Sequence, residues 1–346
     1  MKLGAGLGIR SVTTWLPDTL ETADAAVAHG QLTDEELTDG AIAALPVSHD
    51  LAAPEMAVLA ARRALDTSGI DPATIGLVVH SWIHHQGHDF WSPAHYVAHS
   101  LGAVTAEAVG VQAMCNGGGA ALELGAARLL ADPDTNLVLA TTADRFHDSS
   151  FDRWAGDFGV YYGDGATAVL LGRRDDARDE LTLLALTTAT VSGAESLHRG
   201  ADAFSQAPRQ HSARIDVRRT KKAYLERFGV EDFQRDVHAA LRHAVSTALD
   251  DAGLSPQDAR ITHLTLPRIG MKVRRSTYYD ALDGFTAARI LELGEKTGHL
   301  GAGDLAANCA ELGGLLESGD IALSISAGGG FGFTCAVVQR PAEPTA

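Results

Sequence analysis

Of the three cysteines, Cys115, Cys309 and Cys335, one sits where nucleophilic chemistry is favoured. An apolar run from Ala108 to Ala113 passes through Met114-Cys115-Asn116-Gly117-Gly118-Gly119-Ala120 into an Ala/Leu-rich segment, the pattern of a strand-to-helix elbow. At a helix start, unsatisfied N–H groups and the macrodipole favour a thiolate, and the glycines let backbone approach a ligand closely. The chemistry expected of Cys115 is attack on a carbonyl carbon, with the acyl group then held as a thioester. Cys309, inside a helical pattern, and Cys335, inside a strand pattern, fit the ordinary state of a free cysteine, a small buried hydrophobe. An odd count at wide spacing with no CxxC pair points to neither a disulfide framework nor a zinc site.

A thiolate needs a proton partner, and an internal repeat locates one. Ala64-Leu65-Asp66-Thr67-Ser68-Gly69-Ile70-Asp71-Pro72 returns 184 residues later as Ala248-Leu249-Asp250-Asp251-Ala252-Gly253-Leu254-Ser255-Pro256, each copy ending a helix and leading into an apolar strand. Leu129-Leu130 followed by the run from Leu137 is matched in the same way by Leu315-Leu316 and the run from Ile321. Two α/β halves are expected, 1–175 carrying the nucleophile and 176–346 carrying its partner. The repeat offset, applied to Cys115, falls on the turn Gly298-His299-Leu300-Gly301 before the second-half helix. Equivalent helix starts of a duplicated fold meet near its pseudo-twofold axis, so His299 is the candidate base. Asp304 is placed to orient the imidazole, or to complement a helix dipole.

The elements that would hold these residues follow from periodicity. Helices are expected near 53–68, 92–101, 117–131, 233–252, 280–294 and 303–317, and strands near 75–81, 108–113, 136–142, 166–172, 181–190, 261–266, 321–327 and 332–339. Residues 192–232, rich in Arg, Lys and His, read as an insertion able to cover a site. Few aromatics beside 36 glycines and many small aliphatics suit an α/β protein with helices on both sheet faces. A formal charge of -16 argues against nucleic acid and anionic membranes as partners. With no leader pattern and no long apolar run, the expectation is a soluble, cytoplasmic protein. His84, His85, His88, His95 and His99 lack the carboxylate of an HExxH motif, so no metal is expected; their loop suits a pocket wall and a dimer contact.

The elbow at Cys115, the segment Tyr162-Gly163-Asp164-Gly165-Ala166 and the turn Gly328-Gly329-Gly330-Phe331-Gly332 together resemble the ketoacyl synthase III branch of the thiolase superfamily over nearly the whole chain. The resemblance implies a five-layer αβαβα fold, a homodimer, an acyl thioester on Cys115 and an oxyanion hole from the backbone N–H groups of Cys115 and Gly330. It implies no cofactor beyond an acyl-CoA or acyl-phosphopantetheine substrate. It also places donor docking near Lys272, Arg274 and Arg275, with Arg268 just ahead, where cations would meet CoA phosphates or the acidic helix of an acyl carrier protein. A further basic group is Arg214, Arg218, Arg219, Lys221 and Lys222.

Two departures from that family redirect the chemistry. The family's Pro-His-Gln turn reads Pro267-Arg268-Ile269, and an arginine stays protonated, so Arg268 cannot be a base. The family's Gly-Asn motif carries His299 instead. The His/Asn clamp that holds an enolate during decarboxylation is therefore gone, while a nucleophile and a base remain. This pattern, with the run from His84 to Trp91, is similar to an acyltransferase subgroup of secondary metabolism that acylates hydroxyls of natural products. That subgroup places a histidine near the nucleophile, here His198. Acyl transfer to a hydroxyl or amine of a small-molecule acceptor is the expected function. The alternatives are a starter-unit ketosynthase making a C–C bond and a non-enzymatic assembly partner with a vestigial site.

Overall fold

Alternation along the apolar strands decides which helices each strand face can bury. The computed structural model describes residues 1–342; the last four residues of the expected second half lie outside it. Twelve strands are formed: β1 (Lys2–Trp15), β2 (Leu20–Thr22), β3 (Ala44–Pro46), β4 (Leu77–Ser81), β5 (Glu107–Val111), β6 (Leu137–Asp144), β7 (Gly165–Arg173), β8 (Leu181–Thr190), β9 (Ile261–Thr265), β10 (Arg289–Leu291), β11 (Ile321–Gly328) and β12 (Gly332–Gln339). Ten of them join in the order β10-β9-β11-β12-β8-β1-β7-β6-β4-β5, and β2 pairs with β3 alone.

Outward from the antiparallel β1/β8 contact the two sides of the sheet repeat one pattern. On one side β1, β7 and β6 are antiparallel and β4 and β5 parallel; on the other β8, β12 and β11 are antiparallel and β9 and β10 parallel. Leu77 of β4 and Ile261 of β9 start strands 184 residues apart, as do Leu137 of β6 and Ile321 of β11.

Inward side chains of both sides, such as Val79, Val138, Ala322 and Ala336, share one core with the central helices Gly117–Ala131 and Asp304–Leu315. The opposite faces, with Val78 and Leu139 or with Leu323 and Val337, are covered by helix Ala53–Ser68 in one case and helix Val230–Ala252 in the other. The result is a five-layer αβαβα stack. Both outer helices stop at a left-handed glycine, Gly69 (φ 63°) and Gly253 (φ 69°), the ends marked by the repeat.

Two departures from the sequence reading have local causes. The helix expected over 280–294 ends at Leu282; Gly284 turns at φ 65°, and Arg289–Leu291 instead adds β10 beside β9. The insertion over 192–232 carries its own helices, Ser196–Arg199 and Val217–Phe228, the latter capped by Asp216 accepting from the Arg219 N–H at 3.0 Å. Leu197 and Tyr224 of these helices pack against Phe233 and Phe331. Among the described residues no helix is long and apolar enough to cross a membrane.

Candidate active site

The elbow is formed by Met114, held at φ 50°, with the Gly117 N–H donating to its carbonyl at 2.9 Å. This left-handed residue swings Cys115 out at the start of helix Gly117–Ala131. That helix then packs closely against the second half. A Cβ on Gly117 would come within 3.2 Å of the Ala302 Cβ, and one on Gly118 within 2.5 Å of the Ala302 carbonyl. Ala302 lies in the turn just after His299, so the bare helix start draws Cys115 and His299 together. Behind the elbow the Asn116 amide donates to the Thr334 hydroxyl at 2.8 Å.

His299 is buried and pinned by its main chain: its N–H donates to the Tyr161 carbonyl at 2.7 Å, and its carbonyl accepts from the Gly163 N–H at 3.0 Å. The Tyr162 ring meets the imidazole edge-on with centroids 5.2 Å apart. Nδ1 of His299 lies 2.6 Å from Oδ2 of Asp304. The other Asp304 oxygen accepts from the Leu300 N–H at 2.9 Å. Burial opposes a charged imidazole, but Asp304 and then the hydrogen-bonded Cys115 side chain hold His299 well above the ordinary histidine range. Burial likewise opposes the Asp304 carboxylate, yet His299 and Arg268 keep it below its ordinary value. Cys115, His299 and Asp304 thus form a nucleophile, imidazole and carboxylate in series.

His198 reaches the same place from helix Ser196–Arg199. Its ring lies against Gly329, where a Cβ would come within 2.6 Å, and tilts over Phe331 with centroids 5.8 Å apart. Burial, with the nearby Lys221 cation adding and Asp157 opposing, pushes His198 down to about 4. Its Nδ1 is buried and makes no hydrogen bond among the described residues. The site therefore holds two imidazoles pushed in opposite directions, His299 up and His198 down. Both face a cavity of about 230 Å³ with Cys115, walled by Leu197, Phe233, Ile269 and Phe331. Its polar end is Asp157, which accepts from Lys221 Nζ at 2.5 Å and from the Tyr162 hydroxyl at 3.0 Å.

Other expected site residues lie elsewhere. Gly328 and Gly329 line the cavity in place of Gly330, whose backbone turns at φ 106°. Arg268 is buried with its guanidinium directed into the protein, donating to Asn308 Oδ1 at 2.8 Å and Thr297 Oγ1 at 3.1 Å. It cannot meet a donor phosphate. Arg274 is buried against Glu292 at 2.6 Å, and Lys272 reaches Asp39 at 2.5 Å. Among the described residues, only Arg275 of that expected donor cluster is exposed without an ion pair. In the second basic group Arg218 and Arg219 pair with Glu36 and Asp202, and only Lys221 enters the cavity.

Asp157 and Asp144 carry no expectation from the sequence, and Lys221 is expected there only as part of a basic group. Asp144 accepts from the Ile83 and His84 N–H groups at 2.9 and 2.8 Å and from the Ala302 N–H at 3.1 Å, tying both loops that flank the elbow. A carboxylate closing an otherwise uncharged strand, as Asp144 closes β6, was the available signal.

A five-layer αβαβα stack with a cysteine at one central helix start and a histidine before the other defines a thiolase-fold enzyme. The family model for 3-oxoacyl-[acyl-carrier-protein] synthase III matches residues 109–190. The solved structure of ChlB3, described as an acyltransferase, is similar over 97% of this chain and 98% of its own, with 31% identity and a TM-score of 0.87. The 3-oxoacyl-[acyl-carrier-protein] synthase III of Aquifex aeolicus VF5 is similar in fold over 96% of this chain and 100% of its own, at 19% identity and a TM-score of 0.76. The priming β-ketosynthase of the R1128 polyketide pathway is similar in fold over 98% and 97%, at 22% identity and a TM-score of 0.75. No curated protein sequence matches. The chain belongs to the ketoacyl synthase III-like branch of the thiolase superfamily.

Proposed function

We propose that the enzyme is an acyltransferase that moves an acyl group from a carrier-protein or coenzyme A thioester, through Cys115, to a hydroxyl or amine of a small natural-product acceptor. The observation that carries this reading is the direction of the Arg268 side chain. It lies buried between Asn308 and Thr297, so Arg268 supplies no donor beside His299 to clamp an enolate oxygen. The 31% identity to an acyltransferase agrees with it.

The cycle balances on one imidazole. With His299 protonated, the Cys115 sulfur attacks the donor carbonyl carbon, the donor C–S bond breaks, and His299 gives its proton to the departing thiolate. Neutral His299 then takes the proton of the acceptor. The acceptor oxygen or nitrogen attacks the Cys115 thioester, the C–S bond to Cys115 breaks, and the thiolate and imidazolium are restored. The neutral His198 offers an N–H at its unpartnered Nδ1 to a lone pair of an acceptor oxygen and aims it, leaving the acceptor proton to His299. The backbone N–H of Cys115, with one from the Gly328-Gly329 turn, is assigned to the oxyanion.

No cofactor besides the donor thioester enters this cycle, and a cytoplasmic setting belongs to the same reading. A homodimer belongs to it as well, supported by the edge position of β5. The test is incubation with malonyl and acetyl donors, reading carbon dioxide and the intact mass of the protein. An adduct lost in Cys115→Ala, without stoichiometric carbon dioxide, is expected. Decarboxylation with a new C–C bond would establish the starter-unit ketosynthase instead. Absence of any adduct would leave an assembly partner with a vestigial site.

A further inference from the structure

Helix Met271–Arg274 widens at Arg275–Tyr279 into a π-helical turn before the α form resumes at Asp280–Leu282. Residues five apart stand about 140° from each other around an α-helix, yet Val273 and Tyr278 both line the cavity that holds Cys115 and His299. The wider turn brings the two onto one face, and such turns are frequent at functional sites.

Tyr278 is 3% exposed and belongs to the apolar cluster of Val237, Leu266 and Ile269. Nearby tyrosines use their hydroxyls: Tyr161 donates to the Glu36 carbonyl at 3.1 Å, Tyr162 to Asp157 at 3.0 Å and Tyr279 to Glu292. Among the described residues the Tyr278 hydroxyl has no such partner. Phenylalanine would fill the same apolar space without burying a polar atom, so the hydroxyl calls for a ligand. Burial, then Asp304 and Cys115, push its pKa up. It therefore stays an O–H, able to donate and unfit to act as a base.

We infer that Tyr278 is a catalytic residue whose hydroxyl donates a hydrogen bond to the carbonyl oxygen of the acyl group at Cys115. Elimination selects that oxygen. In the cycle proposed above, the reacting oxygen of the acceptor gives its proton to His299 and one lone pair to His198, and its other lone pair forms the new bond. The departing thiolate takes its proton from His299. The acyl carbonyl oxygen is a pure acceptor present in both half-reactions, and as an oxyanion it can accept a third hydrogen bond beside those of two backbone N–H groups. As either nucleophile adds, the π pair of the C=O bond moves onto this oxygen, and the Tyr278 O–H holds it without giving up its proton. The pair returns to carbon as the C–S bond breaks.

The inference rests on the acyl-enzyme of the proposed function, and the experiment separates the two. Wild type and Tyr278→Phe, which keeps the ring and loses only the hydroxyl, are loaded from acetyl-, butyryl- or benzoyl-CoA and followed by intact mass. Protein loaded to completion is then treated with hydroxylamine, which attacks the thioester and releases the hydroxamate and the free thiol. Loading at saturating donor and adduct loss should both fall by about 10²-fold, a typical share for one oxyanion donor. The donor concentration giving half-maximal loading should stay within about two-fold, and the pH profile should not move, because Tyr278 does not titrate in the neutral range. The urea midpoint should be unchanged or higher, since no hydrogen bond within the protein is lost. Both rates within about two-fold of wild type overturn the inference while leaving the acyl-enzyme intact. Slowing of one step alone also overturns it, since the carbonyl oxygen takes part in both. Slower rates with a lowered midpoint would make Tyr278 a packing residue and overturn it as well. No adduct on wild-type protein from any of the three donors overturns the proposed function and this inference with it.

Discussion

The backbone N–H of Arg268 donates to Asp304 Oδ2 at 2.8 Å, the oxygen that also receives Nδ1 of His299. Position 268 therefore serves the site through its main chain, while its side chain points into the interior. The Arg268→Met variant keeps the N–H and loses the guanidinium bonds to Asn308 and Thr297. A hydrogen bond involving a charged group contributes about 1.5–3 kcal/mol, so denaturant unfolding should show a loss of about 2 kcal/mol. The KM for the donor should stay within about two-fold, where a ten-fold rise, worth about 1.4 kcal/mol, would return Arg268 to the donor site.

Asp304→Asn tests what keeps His299 charged. Burial alone would drive the imidazole neutral, and Asp304 is the larger of the two groups opposing it. With the carboxylate gone His299 loses its proton at lower pH, so the alkaline limb of Cys115 loading moves toward acid. Loading itself should slow by about 10²-fold, a typical share for a positioned proton donor. The pH dependence of loading, followed by mass, gives both numbers. An unmoved limb would show that Asp304 only braces the turn.

How much of this was legible beforehand depended on whether a signal was local. The ends at Gly69 and Gly253 and the elbow at Cys115 are short patterns, and the repeat carried one onto His299 although 184 residues separate the two. β1 escaped notice because glycines interrupt its alternation; its pairing with both β7 and β8 supplies the order its sequence lacks. The opposite error, a helix over 280–294, came from real helical periodicity overridden by Gly284 and by the open edge of β9. Arg268 was the instructive failure: sequence identified the residue that replaces the family's histidine, and only packing against Asn308 shows that the replacement faces away.

His198→Phe separates the two half-reactions. The ring is retained against Phe331 and Gly329, while the unpartnered Nδ1 is removed. Loading of Cys115 should remain within about two-fold, and transfer to an acceptor should fall by about 10²-fold. Because His198 is pushed down to about 4, it stays neutral throughout the neutral range, and wild-type transfer should show no acid limb attributable to it above about pH 5. Single-turnover mass measurements on preloaded enzyme read transfer alone, and equal slowing of both steps would remove His198 from the acceptor step.

Lys221 and Asp157 link the insertion to the site, and their energetics follow from burial. Asp157 is almost wholly buried and Lys221 Nζ lies 2.5 Å from it, while the other carboxylate oxygen holds the Tyr162 hydroxyl at 3.0 Å. In Lys221→Met the carboxylate loses its counter-ion and stays buried, which costs about 3 kcal/mol. Asp157→Asn on that background removes the stranded charge and should restore most of the loss, because a neutral amide still accepts from Tyr162. A double-mutant cycle in urea measures the coupling directly. Loading should follow the same order, slow in the single variant and recovered in the double one, since Tyr162 is the ring that braces His299. Additive losses would mean that the two side chains act independently and that the insertion does not hold Tyr162 in place.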